Sequence, residues 1–275
     1  MYAEGTNKPI SCGEHMGKRI SLSIVTYNNG EEAGNALASI FEMCGAENLE
    51  IYIVDNASTD DTLPSLQERF PSEKYPFLHF FINEKNLGFG AGHNAVLPHL
   101  DSQYHVIVNP DIILRDDVLA RMADYLDSRP DTVLLSPRVL FPSGREQVLP
   151  KRNPFIRALA ARRLPRFERF HKHAERYEMR DRNLNLPQEI EFASGCFMFL
   201  RTDAFRRAGG FDKRYFMYFE DADLTRTLCA EGKVQYDPSF VVYHRWERVS
   251  ARSFKFMMIQ IFSMIKYFNK WGWKF

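Results

Sequence analysis

Four short runs of apolar and β-branched residues, Ile20 to Thr26, Leu49 to Val54, Leu78 to Ile82 and His105 to Val108, each break off at a polar loop. The stretch from Glu31 to Met43 carries Ala33, Leu37, Ile40 and Phe41 at helical spacing, and a shorter helix is expected around Ala91 to His99. Strand, polar loop and helix in alternation predict βαβ units packed on both faces of a largely parallel sheet. In an open sheet of that kind ligands gather beyond the carboxyl ends of the strands, so the loops after Val54 and Val108 lie on the working edge.

The rest of the chain follows this rhythm less closely. A helix is expected over Asp116 to Leu126, a strand over Val133 to Leu135, ordered structure again over Phe192 to Leu200, and helices over Asp203 to Ala208 and Asp221 to Ala230. With 275 residues, 45% of them hydrophobic and 26% charged, the chain supports one substantial core. The expected organisation is a polar, flexible leader over 1–18, a catalytic domain over 19–250 with a basic insertion at about 151–187, and an aromatic, amphipathic tail over 251–275. A formal net charge of +1 conceals that insertion, where eleven Lys and Arg stand against four acids between Lys151 and Arg182. Such a face suits lipid headgroups, nucleic acid or a phosphorylated substrate, or is simply a solvated helix. The four cysteines, Cys12, Cys44, Cys196 and Cys229, are widely spaced and read as reduced, partly buried thiols.

Chemistry-bearing residues collect at the ends of these runs. Asp55 follows Ile51-Tyr52-Ile53-Val54 and can accept hydrogen bonds from a base or ribose, while Ser58, Thr59 or Asp60 can equally cap the next helix. Between Asn83 and Asn94, three glycines and Lys85 offer backbone donors and charge to a diphosphate, or form a turn chosen for packing. The spacing is neither a Walker loop nor a dinucleotide fingerprint. Val108-Asn109-Pro110-Asp111 presents an amide and a carboxylate to a divalent cation, or makes an ordinary Asx/Pro turn. His244 ends the run Phe240 to Tyr243 and can reach back to a cation on Asp111, or serve structurally. Phe216 to Leu224 gathers Glu220, Asp221 and Asp223 at a helix start beside aromatics, which suits a general base and also favourable helix-end electrostatics.

Taken in order, Ser23-Ile24-Val25-Thr26-Tyr27-Asn28, Val54 to Asp60, Asn86-Leu87-Gly88-Phe89-Gly90, Asn109-Pro110-Asp111 and Glu220-Asp221-Ala222-Asp223 resemble the inverting family 2 glycosyltransferases, particularly bacterial rhamnosyltransferase-like members. The resemblance spans about Ile20 to Trp246 and implies the glycosyltransferase A fold, with a mainly parallel central sheet flanked by helices. It assigns Thr26, Tyr27 and Asp55 to the nucleotide pocket, and Lys85 with the loop at Gly88 to the activated sugar or diphosphate. Asn109 and Asp111 occupy the family's Asp-x-Asp place, with asparagine in place of the first acid, and His244 matches a metal-coordinating position. Mg2+ or Mn2+ is therefore expected on Asp111 and His244. Asp221 is the expected base, with Glu220 and Asp223 supporting it or lining the acceptor pocket.

The implied reaction is inverting transfer of a sugar from a nucleotide carrier, with dTDP-L-rhamnose the expected donor and an undecaprenyl-diphosphate-linked saccharide of polysaccharide or O-antigen assembly the expected acceptor. The alternatives are another hexosyl or deoxyhexosyl transfer, or a catalytically inactive nucleotide-sugar-binding scaffold. No run reaches the uncharged length of a membrane span, so the expected site of action is the cytoplasmic membrane face, held peripherally. The aromatic tail fits either an interfacial helix on the membrane surface or a homodimer contact. No nucleic-acid-binding pattern accompanies the basic segment, and no specific nucleic acid is expected.

Overall fold

The structure, a computed structural model, describes residues 18–45, 49–163, 171–245 and 254–274. The expected leader, apart from Lys18, lies outside the described residues, as do Cys12, Trp246 and the basic residues Arg166 and Arg169.

The expected runs become β1 (Ile20–Thr26), β2 (Leu49–Asp55), β3 (Leu78–Ile82) and β4 (Tyr104–Val108), in parallel order β3-β2-β1-β4. Their register aligns Thr26 with Asp55 and Asp55 with Ile82, so the polar residues that end these strands share one edge. Helices α1 (Gly30–Cys44) and α2 (Thr62–Arg69) carry the crossovers on one face, and α1 buries Ala33, Ala36, Leu37 and Ile40 there. The predicted helix at 91–99 divides into α3 (Phe89–His93) and a 3-10 turn (Asn94–His99). Pro98 lies inside that turn and has no N–H for a longer α-helical ladder.

Ser21 and Ser23, on one face of the central strand, are fully buried because a polar chain runs through the core. Ser21 Oγ meets His105 Nδ1 at 2.8 Å, His105 Nε2 meets Ser23 Oγ at 2.9 Å, and Ser23 Oγ meets His93 Nδ1 at 2.7 Å. Burial holds both imidazoles below their usual range, His105 down to about 3, so they remain neutral hydrogen-bonding partners.

Beyond β4 the sheet departs from the expected, mainly parallel pattern. The chain adds β5 (Ile112–Ile113), α4 (Val118–Asp127), β6 (Thr132–Leu140) and β7 (Glu146–Gln147), then α5 (Ile156–Arg163) and α6 (His171–Tyr177). It continues through β8 (Gln188–Glu189), β9 (Phe197–Arg201), α7 (Thr202–Arg207), α8 (Glu220–Leu228) and β10 (Lys233–His244) to α9 (Phe254–Trp271). The sheet is mixed, because β9 inserts antiparallel between β4 and β6, and β5, β7 and β8 also pair antiparallel. The physical reason is directional: the chain enters β9 beside the end of β4, with Phe197 opposite Val108, and must run back across the sheet.

Strand β6 is longer than expected and runs through Pro137. Its pairing with β10 shifts between Asp237 and Val241, an irregularity that accommodates a residue with no ladder donor. Two apolar clusters cover the two faces of the sheet. A third joins the insertion to the tail: Ala158, Tyr177, Phe192, Tyr215, Ala222, Tyr267 and Phe268 pack as one small core beside α8.

Candidate active site

Asp55 ends β2 with only 3% of its surface exposed, and three donors surround its carboxylate. Thr26 Oγ1 donates to Oδ1 at 3.2 Å, Ser58 Oγ to Oδ1 at 2.5 Å and the Ser58 N–H to Oδ2 at 2.9 Å. Ser58 and Thr59, expected as possible caps, instead tie this loop to Asn28: the Asn28 N–H reaches Ser58 Oγ, and the Thr59 N–H reaches Asn28 Oδ1. The N-cap position of α2 is Asp61, whose side chain makes no capping bond, and Asp60 before it accepts the Thr62 N–H on Oδ1. Tyr27 stands 46% exposed beside these residues, free to present its ring to a ligand.

The glycine loop bridges this pocket to the acidic motif. Asn56 Nδ2 donates to the Gly88 carbonyl at 3.0 Å, and the Phe89 N–H donates to the Phe216 carbonyl at 3.0 Å. Gly88 has φ +85°, and a Cβ there would lie 1.9 Å from the Phe216 oxygen, so only glycine fits. Lys85 is exposed at the entrance to this loop.

Asp111 and His244, 133 positions apart in the chain, come together because β5 pairs with the end of β10 in the register His244 to Ile112. Gln147 fixes the ring: its Nε2 donates to the His244 carbonyl at 2.7 Å, which leaves Oε1 facing Nδ1 at 3.1 Å. A carbonyl can only accept, so Oε1 must be the atom facing Nδ1, and Nδ1 carries the proton. With Nδ1 turned to Gln147, Nε2 faces Asp111 Oδ1 at 3.2 Å, and Oδ1 is buried without a hydrogen-bond partner. Two electron-pair donors set against each other in this way fit a divalent cation. Asn109 Nδ2 lies 3.4 Å from the same Nε2, so the amide in the first acid's place borders the pair. Among the described residues no cluster of three His, Cys, Asp or Glu side chains could hold a metal by itself.

At the start of α8, Glu220 is buried and its Oε2 has no partner. Burial, then the neighbouring Asp221 charge, raise its carboxyl well above the usual range. Asp221 is also raised by burial, against the pull of the Gly195 N–H, which donates to its Oδ2 at 3.1 Å, and of the Lys151 ammonium. Asp223 is differently engaged: Trp271 Nε1 and Lys270 Nζ each reach it at 2.7 Å, and Tyr215 Oη donates at 3.3 Å. Its carboxylate is thus occupied by protein groups.

Gly195 and Cys196 join the two sides. The Cys196 carbonyl accepts from the Asn109 N–H at 2.9 Å, while Gly195 holds Asp221. Burial, then the charges of Asp111 and Asp221, push the Cys196 thiol up to about 12, which disfavours its thiolate form. Three participants escape sequence reasoning. Gln147 lies in a two-residue strand with no motif, and Gly195 stands in a segment read only as resumed order. Lys151, read as one charge on a basic face, is 9% exposed with its ammonium 4.8 Å above the Phe192 ring.

This arrangement defines an α/β protein whose candidate ligand-binding groups gather at one sheet edge, and known proteins place it further. Residues 21–209 match the family described as Glycosyl transferase family 2, and the chain belongs to that family. It is 27% identical over 257 residues to N-acetylglucosaminyl-diphospho-decaprenol L-rhamnosyltransferase of Mycobacterium tuberculosis, covering 83% of this chain and 76% of that protein. It is also 27% identical to rhamnosyltransferase WbbL of Escherichia coli over 179 residues, 60% of this chain and 63% of the relative. In fold it is similar to the mannosyltransferase PcManGT of Pyrobaculum calidifontis, solved with GDP-Man and Mn2+, at a TM-score of 0.63 and 18% identity over 96% of this chain and 67% of that one. The S. aureus TarS fragment 1–349 gives a TM-score of 0.58 at 18% identity, over 90% and 65% of the two chains. The chain is a glycosyltransferase of the A fold, acting on a nucleotide-sugar donor.

Proposed function

We propose that the protein transfers L-rhamnose from dTDP-rhamnose, with inversion, to a lipid-linked saccharide in bacterial cell-surface polysaccharide synthesis. The observation that carries the reading is the link between the two motifs through Gly195-Cys196: the Gly195 N–H donates to Asp221, and the Cys196 carbonyl accepts from the N–H of Asn109, two positions before Asp111. The similarity to two rhamnosyltransferases supports the choice of sugar, and the diphospho-decaprenol acceptor named for one of them supports the lipid carrier.

Asp55, Thr26 and Tyr27 hold the base and ribose, and Lys85 and the loop at Gly88 face the diphosphate. Asp111 and His244 would hold Mg2+ or Mn2+, leaving other coordination positions to phosphate and water. A cation there supplies positive charge against the departing diphosphate. Asp221 takes the proton from the acceptor hydroxyl as that oxygen attacks the anomeric carbon opposite the leaving group, so the configuration inverts. Its environment suits a base, since burial makes the carboxylate more basic and the Gly195 N–H orients it.

No described helix is long and apolar enough to cross a membrane. The first nine residues of α9, Phe254 to Phe262, bury no side chain although seven of them are apolar, and Phe254 and Phe262 are 72% and 56% exposed. From Phe254 to Phe275 the sequence holds no acid, and although Lys266 and Lys270 turn to the protein, Lys255 stands exposed among these aromatics, which fits an anionic membrane surface at the cytoplasmic face. The test offers dTDP-rhamnose, GDP-mannose and UDP-sugars to undecaprenyl-diphosphate saccharides and to soluble saccharides, with Mg2+, Mn2+ or chelator, and weighs the product. A deoxyhexose added preferentially to the lipid-linked acceptor supports the reading. Preference for another sugar rejects the donor assignment, and binding without transfer favours a scaffold.

A further inference from the structure

The C-terminal half of α9 grips the catalytic region at four levels. Ser263 Oγ donates to the Met217 carbonyl at 2.8 Å, and Lys266 Nζ donates to the Arg214 carbonyl. One turn on, Lys270 Nζ reaches Asp212 at 3.1 Å and Asp223 at 2.7 Å, and Trp271 Nε1 donates to Asp223 at 2.7 Å. The Arg226 guanidinium lies 4.5 Å above the Trp271 ring, so α8 is held by a second side chain.

The segment that α9 contacts is strained in its backbone. Tyr218 and Phe219, the two residues before Glu220, both have φ +69°, in the left-handed region that non-glycine side chains disfavour. Such a pair persists only when its surroundings fix it. The Phe89 N–H grips the strap at Phe216 from the donor side, and α9 grips it at Arg214 and Met217 from the other. Asp223 is 2% exposed, and its two oxygens face Lys270, Trp271 and Tyr215. Two positions along a helix turn through about 200°, so a residue bound to α9 leaves Asp221 facing Gly195 across the helix.

We propose that α9 is a backing element of the active site and that Asp223 is its positioning residue, transmitting the docking of Lys270 and Trp271 to the placement of Glu220 and Asp221. This rests on the assignment of Asp221 as the base. It gives the tail a role in turnover that is separate from any lipid contact made by its exposed first half.

The experiment uses the full chain with Trp271→Phe, Lys270→Met, Asp223→Asn and the Asp223→Asn/Lys270→Met pair, reading kcat, donor KM and hydrogen exchange over 214–228. Trp271→Phe keeps the ring on Arg226 and loses only the indole N–H, so it tests the link without emptying the core. The expected result is a roughly tenfold fall in kcat at unchanged donor KM, with faster exchange over 214–228. The Asp223→Asn/Lys270→Met pair, which removes both charges, is expected to recover turnover relative to Asp223→Asn. Wild-type kcat in Trp271→Phe and Lys270→Met, or strictly additive losses in the pair, overturns the proposal. The exchange readout is independent of sugar transfer: linked loss of protection over 214–228 upholds the coupling even if the assigned reaction is wrong, and unchanged protection there overturns it.

Discussion

The proposed donor side and the proposed acceptor side of the site are built on opposite principles. On the donor side, Thr26, Asp55 and Asn109 end or follow parallel neighbouring strands, and their shared edge follows from strand register. On the acceptor side, Asp221 is held by a loop 26 positions away, and its helix is held by a C-terminal helix 47 and 48 positions away. A pocket made of strand ends is rigid because the whole sheet supports it. A carboxylate on a short helix, approached through two left-handed residues, depends on whatever packs behind it. On the proposed assignment, donor binding and proton transfer are separable, and changes to the insertion or tail act on the second.

Substitutions can break or sharpen that separation, and the largest effect belongs to Asp221, the proposed base. Asp221→Asn is expected to lower turnover by about 10²- to 10⁴-fold while leaving nucleotide-sugar affinity within a few-fold. Single-turnover rates beside donor titrations check this, and equal loss of both would merge the two halves. Next in size is Gln147→Leu, which touches no substrate in this account but frees the His244 ring. It is expected to raise the Mn2+ concentration needed for half-maximal activity by about 10- to 100-fold, with kcat restored at saturating metal. An unchanged metal requirement would remove the cation from the Asp111 and His244 pair.

Gly88→Ala places a Cβ against the Phe216 carbonyl at the contact between the halves and forces alanine to φ +85°. Loss of roughly 2 kcal/mol or more in chemical denaturation is expected. Native stability in that variant would mean that the loop and the strap are not in contact.

The smallest effect is a pH dependence confined to the acceptor side. Burial and the Asp221 charge raise the Glu220 carboxyl above its ordinary 4.5. The folded state therefore holds this proton more tightly than the unfolded chain, and the stability it contributes is complete below about pH 4.5 and declines as pH rises through the folded value. Glu220→Gln is expected to melt higher than the parent at neutral pH, with the gain vanishing on acidification. A difference that stays constant across thermal melts from pH 4 to pH 8 would show that Glu220 ionises freely.

The two halves also differ in how far they can be read from sequence. The first four strands and α1 declare themselves because each buries an apolar run or stripe formed by consecutive residues, and the polar residues that interrupt them are already at the edge. The pairing of Asp111 with His244 stands in the sequence only as one option beside a structural histidine, and resemblance to a family favours it, since no local pattern reports that β10 meets a two-residue strand at Ile112. Strand β9 reads as ordered structure, but its antiparallel direction depends on where the insertion delivers the chain. Asp223 reads in sequence as a support for Asp221 or a lining of the acceptor pocket, because a run of acids at a helix start does not reveal which one faces a tryptophan that arrives 48 residues later. Lys151 is misread for the same reason: its burial is set by Phe192, across a long insertion.

The shared cleft is tested most directly by the anomeric configuration of the product, read by NMR after incubation with the nucleotide sugar and a lipid-linked acceptor. One space holding the diphosphate on the Asp111 side and the acceptor hydroxyl on the Asp221 side predicts a single product of inverted configuration. Retention of configuration, or inverted product formed at the parent's rate when Asp221 is Asn, contradicts it.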